Sequence, residues 1–319
     1  MAVYTEVTDE AVADFLAEYD IGRVIAFRGI AEGVENSNYS LKTTAGDFIL
    51  TLYERRVDPA DLPWFLGLME HLAGRGVSCP RPVKGTDGIA LHRLASRPAA
   101  ITTFLPGVWP RRVQLAHCAP LGAALAALHL AGEDFAPQRA NALAPDAWPP
   151  LLAAGAPGGE SIRPGLADEL AVVLARILAA WPAHLPTGHI HADLFPDNVF
   201  FLEGKISGLI DFYFAATDFY AYDIAVCLNA WCFESDFSCN VTKARALLRS
   251  YDDVRRLLPA ERAALPVLCQ GAAMRFLLTR LYDWHNTPGD ALVTRKDPVE
   301  YLRRLYFHLD AHNEHAYGI

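Results

Sequence analysis

The sequence predicts an α+β protein of two lobes. Residues 1–105 form a small five-stranded antiparallel sheet with a helix against it, and residues 106–319 form a larger, mainly helical lobe. Three observations carry this expectation. Strand-length runs bounded by turn residues fill the first hundred positions. Wide apolar stripes at helical spacing fill most of the remainder. Among those stripes lies one polar, strand-flanked segment, GHIHADLFPDNVFFLEGKISGLIDFYF. A length of 319 residues is about twice that of an ordinary single domain, and 52% hydrophobic residues supply two cores.

Taken in order, TDEAVADFLAEY reads as a helix with Thr8 as its N-cap. RVIAFRGI, SNYSLKTT and DFILTLYE are strands, the last two joined by the turn AGD. PADLPWFLGLMEHLAGRG is a helix, with proline near its start and glycine at its end. GIALHRL and AAITTFL complete the sheet, and PGVWPRR (106–112) is a hinge. Beyond it, VQLAHCAPLGAALAALHLAG, GLADELAVVLARILAAW, TKARALLRSYDDV, LPVLCQGAAMRFLLTRLYDW and PVEYLRRLYFHLDAH carry helical stripes. The Pro/Gly/Ala-rich stretch 153–165 is expected as a surface loop. In the polar island, VFFL and ISGLI flank EGK as a tight hairpin.

Composition removes several function classes. A formal net charge of −9 with no basic block argues against a nucleic-acid partner. The N-terminal stretch has acids among its apolar residues and lacks the basic and apolar regions of a signal peptide. No apolar run reaches membrane-spanning length, so no membrane association is expected. The six cysteines form no CxxC pair and read as buried, reduced thiols of a cytoplasmic protein.

The chemistry concentrates in HADLFPDN and the hairpin after it. A hairpin returns its end to near its start, so Asp193, Asn198 and Asp211 are expected to converge. Oxygen ligands of that kind are costly to desolvate unless a cation fills them, and they suit Mg²⁺ sharing its shell with phosphates. Phosphoryl transfer needs such a set: one carboxylate for the attacking hydroxyl, and an amide and a second carboxylate for the metal. Singly, each residue is an ordinary turn or strand-end polar group; together they point to a phosphotransferase. The string His189, His191, Asp193 also admits a zinc hydrolase, but that needs further histidines nearby and residue 194 is leucine. His191 is read as a brace for the loop, His189 as a satisfied histidine at a strand start, and Asp223 as a tether from a helix start to the loop.

HADLFPDN followed by IDF matches the kinase pattern H-R-D-L-x-x-x-N and its later metal-binding aspartate, with Ala192 in place of arginine. With EGVENSNYSL, GDFILTLYERR, TFLPG, IDFYFAATDFYAYDIAVCLNAW and AAMRFLLTRL, the chain resembles the aminoglycoside-phosphotransferase-like kinases, relatives of the protein kinases, and more narrowly the homoserine kinases of that fold. The resemblance spans residues 32 to about 281 and implies a bilobal protein-kinase-like fold. It implies Asp193 as catalytic base, Asn198 and Asp211 on Mg²⁺, and ATP between the lobes with adenine against Thr103, Phe104 and Leu105. Gly33, Asn36, Ser37 and Asn38 are then the phosphate loop.

One departure is clear. Thr51 stands where protein kinases carry a strand lysine, and Lys42 or Arg55 is the candidate replacement. The implied acceptor is L-homoserine, whose carboxylate calls for an arginine fork; Arg275 is favoured over Arg280. Asp218, Tyr213 and Asn229 are candidates for its hydroxyl or ammonium end. The assembly is expected to be a monomer or a homodimer. A same-fold kinase for an aminoglycoside or choline-like alcohol is the alternative, kept open by Glu234 and Asp236, and a non-catalytic nucleotide-binding module is the third reading.

Overall fold

The computed structural model describes residues 5–30, 36–54, 58–286 and 295–319. Two compact units emerge. The first is Met1–Gly107 with Ser207–Tyr213, and the second is Val108–Ile206 with Phe214–Ile319. The segment 207–213, which a linear reading assigns to the second lobe, thus packs with the first.

The first unit begins with α1 (Asp9–Leu16), whose N-cap Thr8 accepts from the Ala11 amide at 3.2 Å. Then come β1 (Val24–Gly29), β2 (Ser37–Thr43), β3 (Gly46–Leu52), α2 (Leu62–Gly74), β4 (Leu91–Leu94) and β5 (Arg97–Thr103). The strands form the expected five-stranded antiparallel sheet, in the order β1-β2-β3-β5-β4. The alternation along β2 explains its seating: Tyr39 and Leu41 are buried while Ser40 and Lys42 are exposed. Leu41, Leu50, Leu52 and Ile101 meet Val12, Phe15 and Leu16 of α1 in one core. Each such side chain contributes about 1.5–3 kcal/mol when fully buried.

The second unit carries α3 (Leu115–Ala131), α4 (Trp148–Ile162), α5 (Leu166–Ala180), β6 (Thr187–Ile190), β7 (Val199–Leu202) and β8 (Lys205–Leu209), the last crossing into the first unit. After it come β9 (Ala216–Phe219), α6 (Tyr220–Trp231), α7 (Val241–Val254), α8 (Pro259–Asn286) and α9 (Pro298–Asp310). β6 pairs antiparallel with β9, a strand the sequence does not announce. β7 and β8 form the hairpin, and its central residues Glu203 and Gly204 both have positive φ, 51° and 77°. That is the pattern of a type I′ turn, whose twist suits a two-residue connection. α6 is buried on nearly every side, as expected of a helix that is apolar all round. Among the described residues no helix is long and apolar enough to cross a membrane.

The surface loop expected at 153–165 is largely helix. α4 runs through Pro157 to Ile162, and its small residues allow close approach to α8. A Cβ on Gly158 would lie 2.3 Å from the Leu281 carbonyl oxygen. The glycines are there for contact, not for flexibility.

Candidate active site

The loop that follows β6 is held from behind. Ala192 sits in the left-handed region with φ 61°, which costs a non-glycine residue about 1–3 kcal/mol. Asp223, in the first turn of α6, offsets that cost. Its Oδ2 accepts from the His191 amide at 2.7 Å, and its Oδ1 accepts from the Ala192 amide at 2.9 Å. Burial pushes the Asp223 carboxyl up, but the N–H bond from His129 Nε2 at 3.0 Å and the His191 amide hold it below the ordinary carboxylate range. Burial in turn pushes His129 down, so the neutral ring accepts from the Tyr251 hydroxyl at 2.7 Å. The expected tether is therefore one end of a buried chain of polar groups.

Further along, His191 Nδ1 accepts from the Asp193 amide at 3.3 Å, the bracing role expected of it. Trp231 on α6 donates to the Leu194 carbonyl at 2.7 Å. A single 3₁₀ turn, Pro196–Asn198, brings Asn198 back to Asp193. Asn198 Nδ2 donates to the Asp193 carbonyl oxygen at 2.8 Å and lies 3.5 Å from its Oδ2. With its NH₂ turned to the loop, Asn198 presents Oδ1, a hard oxygen donor.

On α8, Arg275 reaches the same carboxylate. Its Nη1 is 3.4 Å from Asp193 Oδ1, and its side chain is 4% exposed against 18% for Asp193. The guanidinium lies 3.9 Å from the Phe276 ring centroid and 5.2 Å from that of Phe214. Phe195 meets Phe276 edge-on at 4.8 Å. Carboxylate, cation and aromatic wall are thus brought together within the second unit.

Other expected residues are committed elsewhere. Arg280 donates to the Asp297 carbonyl at 2.9 Å and to Glu300 at 2.5 Å, with its guanidinium over Tyr301. Asp218 accepts from Asn141 Nδ2 and from the Phe219 amide, both at 2.7 Å, and burial raises its pKa. Asn229 is spent in packing: Nδ2 donates to the carbonyls of Ala225 and Cys269, and Oδ1 accepts from His308. Glu234 pairs with Lys243 at 2.6 Å, and Asp236 accepts from Ser238, so neither offers a bare acidic patch. The ring nitrogens of His189 lie 2.9 Å from the Gly132 and Pro137 carbonyls, apart from His191. Among the described residues no three His, Cys, Asp or Glu side chains gather as a metal-ligand set.

In the first unit, Asp211 follows β8 with φ 65°. The Tyr213 hydroxyl lies 2.9 Å from that of Tyr53, and burial raises both phenols. Gly33 and Arg55 fall outside the described residues. The expected phosphate-loop side chains knit strand ends together instead. Asn36 Oδ1 accepts from the Glu54 amide at 3.2 Å, Ser37 donates to Glu54 Oε1 at 2.7 Å, and Thr51 donates to Asn38 Oδ1 at 2.8 Å. Lys42 pairs in register with Asp47, while Thr51 pairs with Asn38. Four residues of strand, about 13 Å, separate Lys42 from that position, so it does not take the place of a lysine at 51. Glu70 forms an exposed pair with Lys84 at 2.8 Å. The Thr103 amide donates to the Arg81 carbonyl at 3.0 Å and the Phe104 amide to that of Asp47 at 3.3 Å. Neither amide is therefore left to read a purine edge.

Sequence reasoning passed over His129, Tyr251 and Trp231. The only signal for them is polarity on otherwise apolar helix faces, which a satisfied core residue gives equally.

A family model described as "Phosphotransferase enzyme family" matches residues 26–259. A homoserine kinase of Acidiphilium cryptum (strain JF-5) is 72% identical over 319 residues, covering both chains fully. One of Granulibacter bethesdensis is 69% identical, again over the whole of both chains. One of Rhodospirillum rubrum is 61% identical over all of this chain and 99% of its own. Among solved structures, the amicoumacin kinase hAmiN in complex with AMP-PNP superposes with a TM-score of 0.69 at 16% identity, covering 93% of this chain and 92% of the other. A microcompartment-associated aminopropanol kinase gives 0.67 at 17%, covering 95% and 97%. These two structures share the fold.

Proposed function

Because the chain belongs to the phosphotransferase enzyme family, and within it to the homoserine kinases, we propose that it transfers the γ-phosphoryl group of ATP to the side-chain hydroxyl of L-homoserine. The products are O-phospho-L-homoserine and ADP, the former a precursor for threonine synthesis. The observation that carries this reading is the Asp193–Arg275 pair at 3.4 Å. Homoserine holds a hydroxyl and a carboxylate on one short chain, and the pair offers a base for the first beside a fork for the second.

In this mechanism Asp193 orients the hydroxyl toward the γ-phosphorus. It takes the hydroxyl proton as the new O–P bond forms and the bond to the ADP oxygen breaks. The transition state is loose, so positioning carries most of the rate. The clamp of Asp223 on His191 and Ala192 supplies that positioning by fixing the loop from which Asp193 projects. Asn198 Oδ1 and the Asp211 carboxylate are the donors assigned to Mg²⁺, which when bound neutralises phosphate charge. With the Thr103 and Phe104 amides engaged, the adenine contact is assigned to Leu105. Asp218 and Tyr213, bound by Asn141 and Tyr53, are given supporting rather than direct contacts. The pairing of Glu234 with Lys243 counts against a polycationic acceptor.

The test is coupled ADP release with MgATP on L-homoserine, D-homoserine, L-serine, choline and kanamycin, with Asp193→Asn as the blank. Selective turnover of L-homoserine that vanishes in the variant is expected. Selective turnover of another alcohol would overturn the acceptor assignment, and MgATP binding without any turnover would favour a binding module.

A further inference from the structure

Three buried arginines lie on α8 and α9, and they are not equivalent. Arg280 is tied to the Asp297 carbonyl and Glu300, and Arg304 to the Asn229 carbonyl and Glu300. Each therefore has a permanent carboxylate and a backbone acceptor. Arg275 has neither. Its one hydrogen-bond partner among the described residues is Asp193, the proposed base itself, through Nη1 alone. At 3.4 Å that contact is well beyond the 2.7–2.9 Å of a tight charge-assisted bond. The guanidinium is nevertheless fixed in place, stacked on Phe276 and facing Phe214. A desolvated cation with a single loose anionic partner is a site prepared for a second anion.

We propose that Arg275 makes the acceptor's own carboxylate a condition of turnover: without one the guanidinium occupies Asp193 Oδ1, and with one it turns its fork to the incoming carboxylate and releases that oxygen to the hydroxyl. This inference rests on the homoserine reading above. Specificity then comes from competition for the base as well as from binding. An alcohol lacking a carboxylate meets an Asp193 already held by Arg275, and so does water. The same contact that selects the amino acid therefore restrains wasteful ATP hydrolysis while the acceptor position is vacant. Proton and phosphoryl accounting is unchanged: the hydroxyl proton passes to Asp193 as the phosphoryl group leaves ADP.

The experiment compares L-homoserine with 3-amino-1-propanol, the same alcohol and amine without the carboxylate, and includes ATP hydrolysis with no acceptor. In the wild-type protein kcat/KM for L-homoserine is expected to exceed that for 3-amino-1-propanol by about 10⁴ or more, the range for a site built around a missing polar group. Arg275→Gln is expected to cut kcat/KM for L-homoserine by about 10³ or more while leaving that for 3-amino-1-propanol unchanged or higher. Acceptor-free ATP hydrolysis should rise severalfold. Arg275→Lys, which keeps the charge but loses the fork, should restore part of the selectivity, and thermal melting of both variants checks that they fold. An equal loss on both acceptors in a folded variant, with acceptor-free hydrolysis no higher, would overturn the proposal. If the wild-type protein does not turn over L-homoserine at all, the homoserine reading falls instead, and the acceptor-free arm still decides whether Arg275 restrains Asp193.

Discussion

At the scale of single residues, the site divides into a group that acts and a group that holds it. Asp193→Asn keeps the shape but removes the proposed proton acceptor. It is expected to lower kcat by about 10²–10⁴ and to lower the melting temperature as well, since the buried Arg275 loses its anionic partner, read by coupled ADP release and thermal melting. Asp223→Ala should behave differently. It strands the buried amides of His191 and Ala192, at about 1–3 kcal/mol each, and frees the strained Ala192 backbone. Activity and melting temperature are both expected to fall, with Asp223→Asn intermediate because its one oxygen serves one amide. A melting temperature in Asp223→Ala equal to wild type would contradict the clamp. The proposed acting residues could be named from the sequence because Asp193, Asn198 and Asp211 lie within one short segment of recognisable chemistry. The fate of Ser37 and Thr103 was not. Whether a donor is free depends on partners brought from elsewhere in the chain, here Glu54 and Arg81.

At the scale of elements, α4 is the instructive case. Its stretch GAPGGE contains the residues that usually mark a loop, and sequence reading takes it as one. In the structure Gly155 and Gly158 lie at a helix contact where larger side chains would not fit. Gly158→Ala adds a residue worth about 1 kcal/mol more in an exposed helix. At this position its Cβ would sit 2.3 Å from the Leu281 backbone oxygen, so α4 and α8 must part. A net loss of about 1–3 kcal/mol is expected, measured by denaturant unfolding. A gain would mean that α4 does not pack this closely. Strands β2 and β5 were legible for the opposite reason: β2 alternates and β5 runs apolar, each at the period its own seating requires.

At the scale of the whole molecule, buried histidines set a pH dependence. His308 is fully buried, accepting from Tyr317 and donating to Asn229. Burial, and then the nearby Arg304, pushes its pKa down to about 3 from 6.5. Between those values the unfolded chain holds a proton that the folded one does not, so stability rises with pH across this window and is lost as pH falls from about 6.5 toward 3. His129 adds in the same direction. Denaturant unfolding across that range should show the slope, and His308→Gln should reduce it by up to one proton; an unchanged slope would assign it to other groups. Nothing local in the sequence marks Ser207–Tyr213 as belonging with the first unit. That membership bears on birth rather than on catalysis. A nascent chain leaves the ribosome amino end first, at about 5–20 residues per second. The sheet-bearing unit waits for a piece that emerges roughly a hundred residues after Gly107, on the order of ten seconds later. The part of the protein that is made first therefore cannot be finished until much of the second unit has been made, and a fragment ending at the hinge is a unit with a piece missing.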